Sequence, residues 1–245
     1  MKVIGIIPAR YKSSRFEGKP LADIHGKPMV WWVYQQAMKV KELEEVYVAT
    51  DDDRIEKVCK DLNMNVVMTD SEHPTGTDRV GEVARKIKAD VYVNIQGDEP
   101  IINPESIAKA IEPFYGNSKE IFITNMMTEI KKTYEIVDNT VPKVVVNNDG
   151  YGVFLSRLPI PYPKGRDTKY YKQVCVYGFT PKALEFYCNS ERGAIESVED
   201  IEVLRFIEAG YKVKFLETDH DTIAVDTKED LERVKRFIKE ELIDV

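Results

Sequence analysis

The sequence reads as an α/β fold in which a mostly parallel sheet carries helices on both faces, a Rossmann-like layout. Two observations lead there. Apolar, β-branched runs at 3–7, 46–50, 66–69, 91–96 and 121–126 are separated by stretches at 28–41, 53–62, 77–88 and 104–114, in which apolar residues recur every three or four positions. Strand and helix therefore alternate, and such alternation predicts parallel strands joined by helical crossovers. In addition, polar residues crowd three loops at the strand ends, 8–19, 73–79 and 97–100, where sheets of this kind take their ligands.

The first strand, VIGII, opens directly into IPARYKSSRFEGKPL, and a second GKP at 26–28 marks the start of the first helix. VYVAT, VVMT and VYVNIQ each follow or precede a helical stretch and supply the next strands. After about residue 128 the rhythm changes. Strand-like segments at 143–146, 152–156 and 174–179 surround a loop, 159–167, that holds three prolines and a glycine. Helices are expected at 181–188 and 198–209, then a strand at 212–216. A last helix should run from Thr227 to about 242, with Thr227 as its N-cap and Asp230 three residues on. The expectation is one domain over 1–245, in which about 129–215 forms a mixed sheet extension or small subdomain.

Composition narrows the function. The 245 residues carry a net charge of -7, so the broad basic face that nucleic-acid backbones require is absent. No apolar run approaches the roughly 20 residues of a membrane helix, and no secretory pattern follows Met1. A soluble, cytoplasmic protein is expected. Cys59, Cys175 and Cys188 are widely spaced and form no metal-ligand or CxxC pattern, so reduced thiols are expected.

Against that acidity, Arg10, Lys12, Arg15 and Lys19 fall within ten residues of one loop. Neither GxGxxG nor GxxxxGK[ST] is present, which disfavours a dinucleotide turn or a P-loop. Cationic side chains can supply the charge that glycine-rich amides otherwise give; Arg10 and Arg15 offer planar forks for phosphate oxygens and Lys19 a compact point charge. QGDEP at 96–100 closes the strongest strand and places Asp98 where a hard cation could be held, unless Asp98 and Glu99 only cap the helix near Pro104. Asp226 ends the apolar run IAVD and is not needed for the Thr227 cap. Two carboxylates at distant strand ends, facing a cationic loop, suit a Mg²⁺-triphosphate site. None of His25, His73 or His220 belongs to a Ser-His-Asp or Cys-His set, so covalent catalysis is disfavoured.

In this order and spacing, IPARYKSSRFEGKPL, VYVATDD, HPTGTDR, VNIQGDEP, GYGVFLSRLPIPY, VYGF and AVDTKEDLERV resemble the 3-deoxy-manno-octulosonate (Kdo) cytidylyltransferases over nearly the whole chain. The resemblance implies a fold of the nucleotide-diphospho-sugar transferase type with a smaller dimerisation subdomain. It also implies a homodimer and Mg²⁺-dependent transfer of CMP from CTP to a 2-keto sugar acid in lipopolysaccharide or capsule biosynthesis. By motif, Pro8, Ala9, Arg10, Arg15, Lys19, Thr75, Gly76, Arg79 and Gln96 would bind the nucleotide, with Arg15, Lys19 and Asp98 catalytic. Asp98 and Asp226 would hold the metal, and Arg157, Gln173, Tyr177 and Glu202 the sugar. Gln173 stands where the family has His, Cys175 where it has Gly, and Val203 where it has Gln. Transfer to a different acceptor, or a nucleotide-binding module without turnover, are the alternatives these departures leave open.

Overall fold

The computed structural model describes residues 1–12, 16–116, 121–165 and 167–241. The first half alternates as the periodicity predicts. β1 (Val3–Ala9) is followed by a short hairpin, β2 (Asp23–Ile24) and β3 (Lys27–Pro28), and then α1 (Met29–Met38). β4 (Glu45–Thr50), α2 (Asp53–Asp61), β5 (Val66–Met68), α3 (Gly76–Lys86), β6 (Val91–Ile95) and α4 (Pro104–Ile111) complete that half. β7 (Ile123–Glu129), α5 (Thr133–Val137), β8 (Lys143–Val146), β9 (Gly152–Ser156) and β10 (Tyr171–Phe179) come next. The chain finishes with α6 (Pro181–Asn189), α7 (Ala194–Glu199), α8 (Leu204–Glu208), β11 (Val213–Glu217) and α9 (Lys228–Glu241).

Among the described residues, nine strands form one sheet whose main path runs β11-β7-β10-β6-β1-β4-β5, with β8 on β10 and β9 on β8. β1 pairs parallel with β4 and β6, β4 with β5, and β7 with β11; β10 alone on this path runs antiparallel, between β6 and β7. The segment 129–215 thus feeds a strand into the middle of the main sheet and hangs the β8–β9 pair from it.

Apolar residues cover both faces. Val30, Val33 and Ala37 of α1, Ile55 of α2 and Ile107 of α4 pack on one side; Val80 and Val83 of α3, Leu184 and Tyr187 of α6 and Phe206 of α8 pack on the other. A third cluster joins Ile24, Met29 and Trp32 to Val225, Leu231, Val234 and Ile238, and so docks α9 beside the hairpin. Arg205 is buried in the second layer, where Nε and Nη2 donate to both carboxylate oxygens of Glu196 at 2.7 and 2.8 Å.

Two expected helices are shorter. The stretch 104–114 leaves α-helical geometry at Ile111 and tightens into a 3-10 turn over Glu112–Tyr115, because Pro113 has no N–H for the ladder. The expected helix 198–209 is two helices broken at Asp200, whose left-handed φ of 52° ends α7. Glu202 and Val203 therefore lie in the break before α8, not on a continuous helix.

Candidate functional site

The strand order reverses at β1: one parallel neighbour, β4, leads outward, and the other, β6, leads toward the rest of the sheet. A crevice opens at the carboxyl ends of strands that diverge this way. The ends of β1 and β6 meet so closely there that a Cβ on Gly97 would lie 2.6 Å from the Pro8 carbonyl oxygen. Only glycine permits the approach. A Cβ on Gly76, at the start of α3, would stand 3.6 Å from Pro8 and 3.9 Å from Gln96 Nε2. Pro8, Ala9, Gly76 and Gln96 are thus one neighbourhood. Thr75 caps α3 in a reciprocal box with Asp78, which leaves the first amides of the helix facing the crevice.

Lys19 enters from the loop after β1. Gly18 takes a left-handed φ of 70° and its N–H donates to the Tyr11 carbonyl, folding the loop back so that Lys19 starts a single 3-10 turn. The Lys19 ammonium donates to Asp98 Oδ2 at 2.7 Å and to Asp226 Oδ1 at 3.2 Å. Asp226 is brought there by backbone: the Val225 N–H donates to the Asp98 carbonyl at 2.9 Å. Burial alone would depress the Lys19 pKa, but the two carboxylates outweigh it and the pKa is raised. Thr227 caps α9 through Asp230, as expected, so Asp226 is not consumed by capping. Asn103, whose Oδ1 accepts from the Glu105 N–H, caps α4. The capping alternative for Asp98 and Glu99 therefore fails.

Two carboxylates converging on one cation suit a small divalent ion, which takes one or two protein carboxylates and completes its shell with substrate phosphate and water. Among the described residues no cluster of three or more acidic, His or Cys side chains could hold a metal without such help.

Deeper along the crevice lies a second group. Tyr177 is buried and Glu202 half-buried, and desolvation pushes the phenol well up and the carboxyl up. The hydroxyl and amide of Thr77, one residue into α3, work against that rise at Glu202, and Tyr187 shares a 3.2 Å hydrogen bond with the Thr75 hydroxyl. Glu99, only 4% exposed, stands beside Cys175 and Asp98, and burial pushes its pKa up to about 8.

Two sugar-side candidates have protein partners, and Gln173 lines a cavity together with Glu99, Cys175 and Asp226. The Gln173 amide donates to Asn125 Oδ1 at 2.8 Å, while Asn125 Nδ2 donates to the Val174 and Val176 carbonyls at 3.0 and 2.9 Å. These bonds clamp the irregularity in β10 that brings Cys175 toward Glu99. Arg157 spends Nε, Nη1 and Nη2 on the carbonyls of Glu199, Asn139 and Asp200. Arg15 lies outside the described residues.

Arg79 is fully buried. Its Nη1 donates to the Thr69 hydroxyl, which in turn donates to the Thr50 carbonyl at 3.1 Å, and its Nη2 lies 3.4 Å from Asp51 Oδ1. Burial lowers its pKa and Asp51 partly restores it. Asp51, Thr77, Tyr187 and Asn125 were not singled out from the sequence, and Glu99 entered only as a possible helix cap. For Asp51 a signal existed, since it follows a strand as Asp98 does.

A sequence profile of a family described as cytidylyltransferase matches residues 4–229. The 3-deoxy-manno-octulosonate cytidylyltransferase of Solibacter usitatus is 40% identical over 99% of this chain and 96% of its own. That of Fusobacterium nucleatum subsp. nucleatum is 41% identical over the full length of both. Among solved structures, a CMP:2-keto-3-deoxy-manno-octonic acid synthetase complexed with CTP superposes with a TM-score of 0.94 at 37% identity, covering 98% of this chain and 100% of that one.

Proposed function

Since the chain belongs to the cytidylyltransferase family, we propose that it transfers CMP from CTP to the anomeric hydroxyl of Kdo and releases pyrophosphate. The carrying observation is the convergence of Lys19, Asp98 and Asp226 at the carboxyl ends of β1 and β6, where Gly76 and Gln96 also meet. In the reaction a bond forms between the acceptor oxygen and the α-phosphorus, the bond from that phosphorus to the bridging oxygen breaks, and the hydroxyl proton leaves to solvent. Phosphoryl-type transfer asks for positioning and charge stabilisation rather than covalent help, which fits a site without a nucleophile–His pair.

Lys19 and Arg10 meet the phosphates, and Lys19 counters the charge that grows on the departing pyrophosphate. Asp98 and Asp226 would hold Mg²⁺, which supplies charge neutralisation at the α-phosphate and polarisation of the acceptor hydroxyl. Tyr177 and Glu202 line the acceptor end, where the phenol can donate to a sugar oxygen and the carboxyl can accept from a sugar hydroxyl. Leu158 and Val198, 68% and 83% exposed, flank the segment that Arg157 ties together and support a homodimer through 129–215.

The test is pyrophosphate release from CTP and Mg²⁺ with Kdo, with other 2-keto sugar acids, simple sugars and sugar phosphates run beside it, and the product mass determined. Kdo should be turned over to CMP-Kdo. Release with another acceptor alone would overturn the acceptor, and CTP binding without release from any acceptor would overturn the transfer.

A further inference from the structure

The loop that leads from β5 into α3 is tied at two points to one carboxylate. Glu82, on the second turn of α3, accepts at Oε2 from the Asp70 N–H at 2.8 Å, and the same oxygen shares a 2.5 Å hydrogen bond with His73 Nε2. Its other oxygen lies 2.6 Å from Lys86 Nζ, which also donates to the Met68 carbonyl at 2.7 Å. Burial alone would raise the Glu82 pKa, but Lys86, the Asp70 amide and His73 outweigh it and carry the carboxyl down to about 2. Glu82 is therefore an ionised carboxylate that can only accept, so Nε2 of His73 bears the hydrogen. The Glu82 and His73 side chains are 15% and 16% exposed, in a loop whose Asp70, Ser71, Glu72 and Pro74 are all open to solvent.

One oxygen thereby joins sheet, loop and helix. Asp70 follows Thr69, whose N–H and hydroxyl both donate to the Thr50 carbonyl at the end of β4, so the Asp70 amide is fixed to the sheet, while His73 belongs to the loop and Glu82 to the helix. The helix starts just beyond His73. Pro74, its φ set by the ring, links His73 to the N-cap Thr75, and Gly76 follows in contact range of Pro8 and Gln96. The reciprocal box of Thr75 and Asp78 closes that start on itself and does not fix where it stands against the sheet. We propose that Glu82, acting through His73, is a positioning residue for the nucleotide: it sets the place of Thr75 and Gly76, whose end of the helix suits an anion, and so governs the binding of CTP. This rests on CTP being the nucleotide used.

The experiment measures kcat and the KM of each substrate by pyrophosphate release from CTP, Mg²⁺ and Kdo. Glu82→Ala should raise the KM for CTP about tenfold and leave kcat and the KM for Kdo within about threefold, the pattern of lost ground-state binding. Glu82→Gln keeps an oxygen for both donors and should return the CTP constant to within about threefold of wild type. His73→Ala should weaken CTP as Glu82→Ala does, and the double variant should be no worse than either, because both remove one interaction. Lys86→Met releases the Met68 carbonyl and the other Glu82 oxygen at the base of the loop, so it should lower Tm and leave the CTP constant near that of wild type. Effects of Glu82→Ala and His73→Ala that multiply, a Kdo constant that rises as much as that for CTP, a Lys86→Met with the same rise, or a Glu82→Gln no better than Glu82→Ala would each reduce the tie to plain stability and overturn the proposal. Should Glu82→Ala not fold, His73→Ala set against Lys86→Met carries the same comparison. Wild type that releases no pyrophosphate from CTP would count against the function proposed above, whereas turnover with both constants moved alike counts only against Glu82.

Discussion

Replacing Lys19 by Met keeps the aliphatic stem and removes the charge that joins Asp98 to Asp226. The ammonium sits 2.7 and 3.2 Å from the two carboxylates, with side-chain exposures of 15% for Lys19, 28% for Asp98 and 36% for Asp226. At an effective dielectric of about 20, the two attractions are roughly 6 and 5 kcal/mol before any offset. Desolvation and the solvent at both carboxylates cancel much of that. A net loss of about 1–3 kcal/mol is expected, or roughly 3–8 °C in Tm for a domain of this size. The informative part is the response to Mg²⁺. In the variant the Lys19 ammonium no longer stands between the two carboxylates, and a divalent ion at a hundredfold excess over its Kd should return about 2.7 kcal/mol. In wild type the ion must first displace the ammonium, so its gain should be smaller. Thermal denaturation with and without Mg²⁺, against a Ca²⁺ control, reads the difference independently of catalysis. A Mg²⁺ response no larger in Lys19→Met than in wild type would refute the shared-cation account. Turnover should fall about a hundredfold or more in the same variant.

Glu99 predicts a pH effect. An unfolded glutamate titrates near about 4.3, whereas burial holds Glu99 at about 8 in the fold. Between those values the unfolded chain gives up a proton that the folded one keeps, so stability contributed by the neutral carboxyl is lost as pH rises. Glu99→Gln, measured metal-free, should therefore gain Tm over wild type progressively from pH 5 to pH 8; a gain independent of pH would contradict this. Glu196→Ala strands the buried Arg205 guanidinium and should cost about 3–5 kcal/mol, seen as a Tm lower by roughly 10 °C. Asn125→Ala unpairs the Val174 and Val176 carbonyls, and should raise the KM for the acceptor several-fold more than that for CTP. Equal changes in both constants would show that the clamp does not serve the acceptor end.

Much of the parallel half was legible, because periodicity distinguishes a buried strand from an amphipathic helix. β8 and β9 begin and end where their β-branched runs do. What periodicity does not report is a strand's neighbours: β10 reads as one more apolar run, yet it lies antiparallel at the centre of the sheet. The break at Asp200 was equally hidden, since it turns on one backbone angle. At the site, Lys19, Asp98 and Asp226 were found because a hard cation and a triphosphate demand those charges. Gln173 was assigned to the sugar by position, and its partner, Asn125, lies 48 residues away on another strand. Asp51 carried the same strand-end signal as Asp98, and the structure sets it against the buried Arg79.

The contact between the Val225 N–H and the Asp98 carbonyl also orders events during synthesis. Lys19 and Asp226 are 207 positions apart, and β10 must slip between β6 and β7 before the crevice has its far wall. A growing chain can assemble β1, β4, β5 and β6 early, with their short crossovers, and still have no second carboxylate. The second carboxylate beside Lys19 thus comes only with the segment that leads into α9, long after Lys19 and Asp98 have been made.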